Sequence, residues 1–235
     1  MWEPQWEPYT RSHRVLRLDL RGFGRSPLET GVFSNARDLI DVLERNGLGP
    51  VSLVGNSLGG RVVLEVAVAR PDLVDALVLV APGLPGHDWS PGVLAAWDEE
   101  EAALEAGDLD EAVELNLRTW VDGPRRRPSD VDPSVRGLVG EMQRRAFEVQ
   151  LPVGEDADEE LLVENLAERL RDVRARTLLV VGDEDVPDMH AISELLEREI
   201  PGARRETIAG AAHVPSLERP QEFDELVLGF LESGA

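Results

Sequence analysis

The run Gly55-Asn56-Ser57-Leu58-Gly59-Gly60 sets a serine between glycines in the pattern G-x-S-x-G. A continuous apolar run, residues 51–54, precedes it, and a mostly apolar stretch with helical character, residues 61–69, follows. The serine therefore falls at a strand-to-helix turn. There its backbone is strained, its hydroxyl is exposed, and small neighbours avoid clashes. The helix behind it turns free N–H groups and a positive dipole end toward a developing oxyanion, and the Leu58 N–H is the expected donor. The chemistry implied is nucleophilic attack on a carbonyl carbon. The competing reading is a glycine-rich turn that only packs a helix on a strand.

A serine hydroxyl needs a base, and the chain has four histidines: His13, His87, His190 and His213. His13 opens a strand-like run, His87 sits in a Pro/Gly turn, and His190 stands at a helix start after Pro187. His213 lies in the small-residue loop Gly210-Ala211-Ala212-His213-Val214-Pro215 after the last strand-like run. Parallel sheets place their sites on loops of this kind, so His213 is the expected base. A carboxylate must then fix the imidazole tautomer and stabilise its cation. Residues 177–181 end in Gly182-Asp183-Glu184-Asp185. Spacing alone does not choose among these three acids or set Asp188 aside. A metal site built from Asp183, Asp185, Asp188 and His190 would need more convergent ligands than this loop offers.

The elements that must position these residues follow a strand-then-helix rhythm. Apolar runs at residues 15–18, 51–54, 74–80 and 177–181 read as strands, and residues 205–208 as a weaker one. Residues 35–43, 61–69 and 220–231 read as helices. Apolar strands separated by helices predict an α/β fold, a mostly parallel sheet with helices on both faces. Between Pro82 and about Arg174 the rhythm changes to helix-like Glu/Leu/Ala-rich sequence broken at glycines and prolines. The expected organisation is a core of residues 1–82 and 175–235 with an all-helical insertion at 83–174. Trp89, Trp97 and Trp120 all fall in that insertion and are candidate pocket residues, with Met189 and His190 at the rim.

Composition excludes several alternatives. The chain has 235 residues, a formal net charge of −22, no cysteine and no lysine. Disulfides, thiolate catalysis and cysteine-ligated clusters are excluded, as are Schiff-base lysine chemistry and a P-loop lysine. The acidic balance argues against nucleic acid or an anionic membrane surface as a partner. No apolar stretch approaches the ~18 residues of a membrane span. The first residues lack the basic start and apolar middle of a signal peptide. A cytoplasmic location, a small-molecule substrate and a monomer or homodimer are the expectations.

Four segments, Asp19-Leu20-Arg21-Gly22-Phe23-Gly24-Arg25-Ser26, the serine turn, Leu179 to Asp185, and Ala212-His213 with Glu218-Arg219-Pro220, together resemble the α/β-hydrolase superfamily, in the order Ser, Asp, His. The resemblance runs over nearly the whole chain and is nearest to the cofactor-free carboxylesterase and enol-lactonase group. It implies that the acid is Asp185, three residues after the strand-end glycine, that the insertion is a helical cap, and that neither cofactor nor metal is used. The family's opening strands and His-Gly loop, whose N–H is a second oxyanion donor, have no counterpart here. The missing strand would lie between residues 15–18 and 51–54, so its absence predicts a gap with unpaired backbone, and the expected true start is upstream of Met1. Loss of one such donor costs about 10²–10³ in rate.

The combined expectation is a serine hydrolase in which Ser57, His213 and Asp185 form a triad. Its substrate would be an ester or lactone of a small apolar molecule with an apolar acyl or ring-bearing group, not a sugar or phosphate ester. The alternatives are a ligand-binding or signalling protein with slow or no turnover, and carbon–carbon bond or peroxide-dependent chemistry at the same residues. Val214 stands where the carbon–carbon bond hydrolases carry tryptophan.

Overall fold

The computed structural model describes residues 1–233. In chain order its elements are α1 (Glu3–Thr10), β1 (Gly31–Phe33), α2 (Asn35–Arg45), β2 (Val51–Asn56), α3 (Leu58–Ala69), β3 (Val74–Val80), α4 (Pro91–Glu105), α5 (Leu109–Leu117), α6 (Pro133–Gln150), β4 (Ala157–Glu159), β5 (Arg176–Gly182), α7 (Pro187–Glu199), β6 (Arg204–Ile208), α8 (Pro215–Glu218) and α9 (Pro220–Glu232).

Four strands form a parallel sheet in the order β2-β3-β5-β6. The central strands carry unbroken apolar runs, Ala76 to Val80 in β3 and Leu178 to Val181 in β5, because both faces are covered. Leu77 and Leu79 of β3 pack with Leu39 of α2, Leu64 of α3 and Ile192 of α7. Ala76, Val78 and Val80 pack on the other face with Tyr9 of α1 and Phe223, Val227 and Phe230 of α9. This is the α/β architecture with helices on both faces that the sequence predicts. Among the described residues, no helix is long and apolar enough to cross a membrane.

Residues 15–18 are not a strand. They form no ladder, and Leu16 and Leu18 are exposed. An apolar run becomes a strand only where a neighbour takes its backbone hydrogen bonds, and the sheet stops at β2. β2 is thus an edge strand, paired on one side only, with β3.

The insertion is not wholly helical. Its three helices start where local chemistry directs. Ser90, Asp108 and Asp132 cap α4, α5 and α6 with their side chains, and proline follows directly at α4 and α6. Farther on, β4 pairs in parallel with β1, so that Phe33 lies opposite Glu159. A third apolar cluster, inside the insertion, includes Val113, Leu117, Val121 and Phe147, and it reaches Val214 and Leu217 beyond β6. The carboxyl ends of β2, β3, β5 and β6 open beneath this segment.

Candidate active site

Ser57 stands between β2 and α3 with φ 53° and ψ −116°. A non-glycine residue held there carries about 1–3 kcal/mol of strain, which the surroundings must outweigh. They do so through three backbone hydrogen bonds. The Ser57 N–H donates to the Val80 carbonyl at 2.9 Å, and the Ser57 carbonyl accepts from Arg61 at 3.0 Å and Gly83 at 3.1 Å. The need for small residues is uneven. A Cβ on Gly55 would collide with the Gly59 carbonyl, and one on Gly60 would lie 2.7 Å from the Pro82 ring. Gly59 faces open space, so packing does not require a glycine there.

His213 is buried, and its Nδ1 lies 3.0 Å from Asp185 Oδ2. The other Asp185 oxygen accepts the Val186 N–H at 2.8 Å, which aims the carboxylate. The remaining acids of this region are engaged elsewhere. Asp183 accepts the Gly210 N–H at 2.6 Å. Glu184 pairs with Arg125 at 2.9 Å, and that guanidinium holds its carboxyl below the usual range. Asp188 meets Ser90 and His87. Of the four candidates, Asp185 is the one in contact with His213.

Ser57, Leu58 and His213 line one cavity of about 360 Å³, within the range of small-molecule sites. Trp89, Trp97, Trp120 and Met189 line it too, as do Arg61 and the β3 loop residues Gly83, Leu84 and Pro85. The rings form a continuous wall. Trp89 and Trp97 centroids are 4.8 Å apart, Trp97 and Trp120 6.5 Å, and Trp120 and His213 4.6 Å. His190, expected at the rim, is not among the lining residues: it follows the buried Met189 on α7, and adjacent helical positions point about 100° apart. The lining loop after β3 was legible as a strand-end turn in Ala81-Pro82-Gly83-Leu84-Pro85-Gly86. Arg61 carried no such signal.

The alpha/beta hydrolase family profile matches residues 1–226. The chain belongs to that family. A protein of Azorhizobium caulinodans named "Putative carbamate hydrolase RutD" is 28% identical to the hydrolase over 97% of this chain and 85% of its own length. The pimeloyl-[acyl-carrier protein] methyl ester esterase of Aeromonas hydrophila is 27% identical over 93% of this chain and 85% of its own. Among solved structures, Est816, described as an N-acyl homoserine lactone degrading enzyme, superposes with a TM-score of 0.76 at 27% identity. The match covers 97% of this chain and 87% of that one.

The hydrolase carries a buried ionic network behind the cavity. The Arg61 guanidinium donates to Glu65 and to Glu159 of β4, both at 2.6 Å. Glu159 also accepts from Asn35 of α2 at 2.8 Å. Burial raises the Glu65 carboxyl above its ordinary value, against the pull of Arg61 and the backbone N–H groups of Leu162 and Val163. Two carboxylates thus neutralise the one guanidinium that reaches the cavity.

Asp188 anchors the start of the insertion to α7. Its carboxylate accepts the Ser90 N–H at 2.7 Å and the Ser90 hydroxyl at 2.6 Å, with His87 Nε2 at 3.1 Å. Burial opposes the charge, but these three hydrogen bonds together outweigh it and hold the carboxyl below its ordinary range. A depressed carboxylate stabilises the fold above its unfolded value and loses that contribution as pH falls through the folded one. Asp188→Asn is therefore expected to be less stable than wild type at neutral pH. The gap should close as pH drops below about 4. Urea melts at pH 7 and pH 3 check this, and a gap that does not narrow in acid contradicts the assignment.

Proposed function

We propose that the hydrolase is a serine esterase or lactonase for substrates with an apolar, ring-sized acyl group. The observation that carries this reading is the Asp185–His213 hydrogen bond, with His213 and Ser57 facing one cavity under three tryptophans. His213 takes the proton as the Ser57 oxygen attacks the carbonyl carbon. The Leu58 N–H, which has no intrahelical partner in the first turn, donates to the oxyanion. His213 then returns the proton to the leaving oxygen, and water, activated by the same imidazole, releases the acyl group. Asp185 keeps Nδ1 protonated and Nε2 free to accept. No hydrogen bond joins Ser57 to His213 among the described residues; such contacts tighten when substrate binds. Neutralisation of Arg61 by two carboxylates disfavours an anionic substrate.

The test has two arms. A fluorophosphonate probe is expected to label wild type and to leave Ser57→Ala unlabelled; an unlabelled wild type would sink the reading. The second arm replaces tryptophans in turn and compares a short with a longer acyl ester. Trp97, in the middle of the wall, selects the acyl group, so Trp97→Leu should change the ratio of their kcat/KM values by about tenfold. Trp120 also supports the His213 ring, so Trp120→Leu should lower both. If Trp97→Leu lowers both alike, selection lies with the aliphatic residues of the cavity instead.

A further inference from the structure

The helical insertion does more than roof the cavity. Its π-helical turn Arg118–Asp122 and the following Arg125 and Arg126 are bonded to the loops that carry Asp185 and His213. The Trp120 carbonyl accepts the His213 N–H at 3.1 Å. Arg125 donates to Glu184 at 2.9 Å and to the Asp183 carbonyl at 2.5 Å.

The densest junction is made by Arg126, whose side chain is almost buried. Its Nε donates to the Asp122 carbonyl at 2.9 Å and its Nη2 to the Val121 carbonyl at 2.5 Å. Its Nη1 donates to the Gly210 carbonyl at 2.9 Å and pairs with Glu218 Oε2 at 2.7 Å. The other Glu218 oxygen accepts the Ala212 N–H at 2.7 Å. One planar fork thus joins the turn that holds Trp120 to Gly210, and through Glu218 to Ala212, the residue before His213. A lysine ammonium cannot reproduce that spread of donors. Val214 and Leu217, which follow His213 in the chain, are held in the apolar cluster of the insertion.

We propose that Arg126 and Glu218 are positioning residues for His213, fixing its loop against the insertion so that the imidazole keeps its alignment between Asp185 and Ser57. The proposal rests on the esterase reading for its kinetic consequence, but its geometric content stands on the loop alone. A purely structural ion pair would set stability without setting the imidazole.

The experiment uses the full chain labelled with ¹⁵N at histidine. The His213 signal is assigned by its loss in His213→Ala, and the other three histidines serve as internal references. The variants are Arg126→Met, the near-isosteric Glu218→Gln, and the double substitution, each with a thermal melt and kinetics on p-nitrophenyl acetate. Misplacement of about 1 Å costs on the order of 10²-fold, so Arg126→Met and the double variant are expected to lose 10- to 100-fold in kcat. KM should stay within about twofold, the pattern of an interaction realised in the transition state. The His213 resonance should shift or broaden while His13, His87 and His190 hold. Glu218→Gln keeps an acceptor for Ala212 and should move in the same direction by less.

The double variant separates the two roles. Removing both charges relieves the unpaired buried carboxylate, so Tm should recover relative to Arg126→Met while kcat does not. Recovery of kcat in step with Tm, or an unmoved His213 resonance in a folded Arg126→Met, overturns the proposal. If Arg126→Met does not fold, Glu218→Gln decides by the same two readouts. A wild type without ester turnover defeats the esterase reading, and the resonance then decides the positioning claim by itself.

Discussion

Ser57→Ala and His213→Ala are each expected to lower kcat for an ester by about 10⁴- to 10⁶-fold, and the double variant to be scarcely worse than either. The reason is mechanical. With Ser57 gone there is no oxygen for His213 to deprotonate, and with His213 gone the hydroxyl stays a weak nucleophile, so the second deletion removes nothing further. What survives is the contribution of binding and of the oxyanion donor, which does not need the triad. Each variant should bind a non-hydrolysable substrate analogue as wild type does, because both side chains sit at the cavity wall and neither is in the apolar core. Steady-state kinetics on the four proteins checks this. Losses that multiply in the double variant would mean that the residues act separately, and would remove the triad assignment.

The second large effect is on the acid. Asp185→Asn should cost about 10⁴-fold in kcat while the backbone is unchanged. The asparagine amide can still meet the Val186 N–H with its oxygen, but it then turns its NH₂ toward His213. An imidazole facing a donor is held with Nδ1 bare and Nε2 protonated, the wrong tautomer for taking the serine proton. Asp183→Asn is the matched control. Its carboxylate contacts the Gly210 N–H and not the imidazole, so it should cost far less. The reverse ranking would assign the acid to Asp183.

Most of the candidate site is legible in the residues. Ser57 announced itself through its glycines and flanking runs, and His213 through a small-residue loop after a strand. Spacing alone does not choose among Asp183, Glu184, Asp185 and Asp188, which all sit at one strand end; the resemblance points to Asp185, and of the four it is Asp185 that meets His213. The central strands β3 and β5 were readable because burial on both faces leaves a continuous apolar run. Residues 15–18, apolar except for Arg17, also read as a strand and are not one, since pairing depends on a neighbour that no local pattern reports. α1 was missed for the converse reason. With Pro4 and Pro8 its intrinsic preference for helix is poor, and it is Tyr9 and Gln5 packing against the last helices that fix it. The β1–β4 ladder joins segments more than 120 residues apart through strands too short to signal themselves.

The open side of β2 bears on how the molecule comes apart. Detaching β3 or β5 breaks two ladders, whereas detaching either edge strand, β2 or β6, breaks one, and β2 is the edge strand that leads into Ser57. Local opening draws on such singly paired units. The strained serine turn is held by Val80 and Gly83 across that single seam, so fraying of the seam releases it while β3, β5 and β6 stay joined. Gentle heating or dilute denaturant should thus silence the protein before its circular dichroism changes, and the inactive form can re-form its turn on cooling without refolding the whole chain.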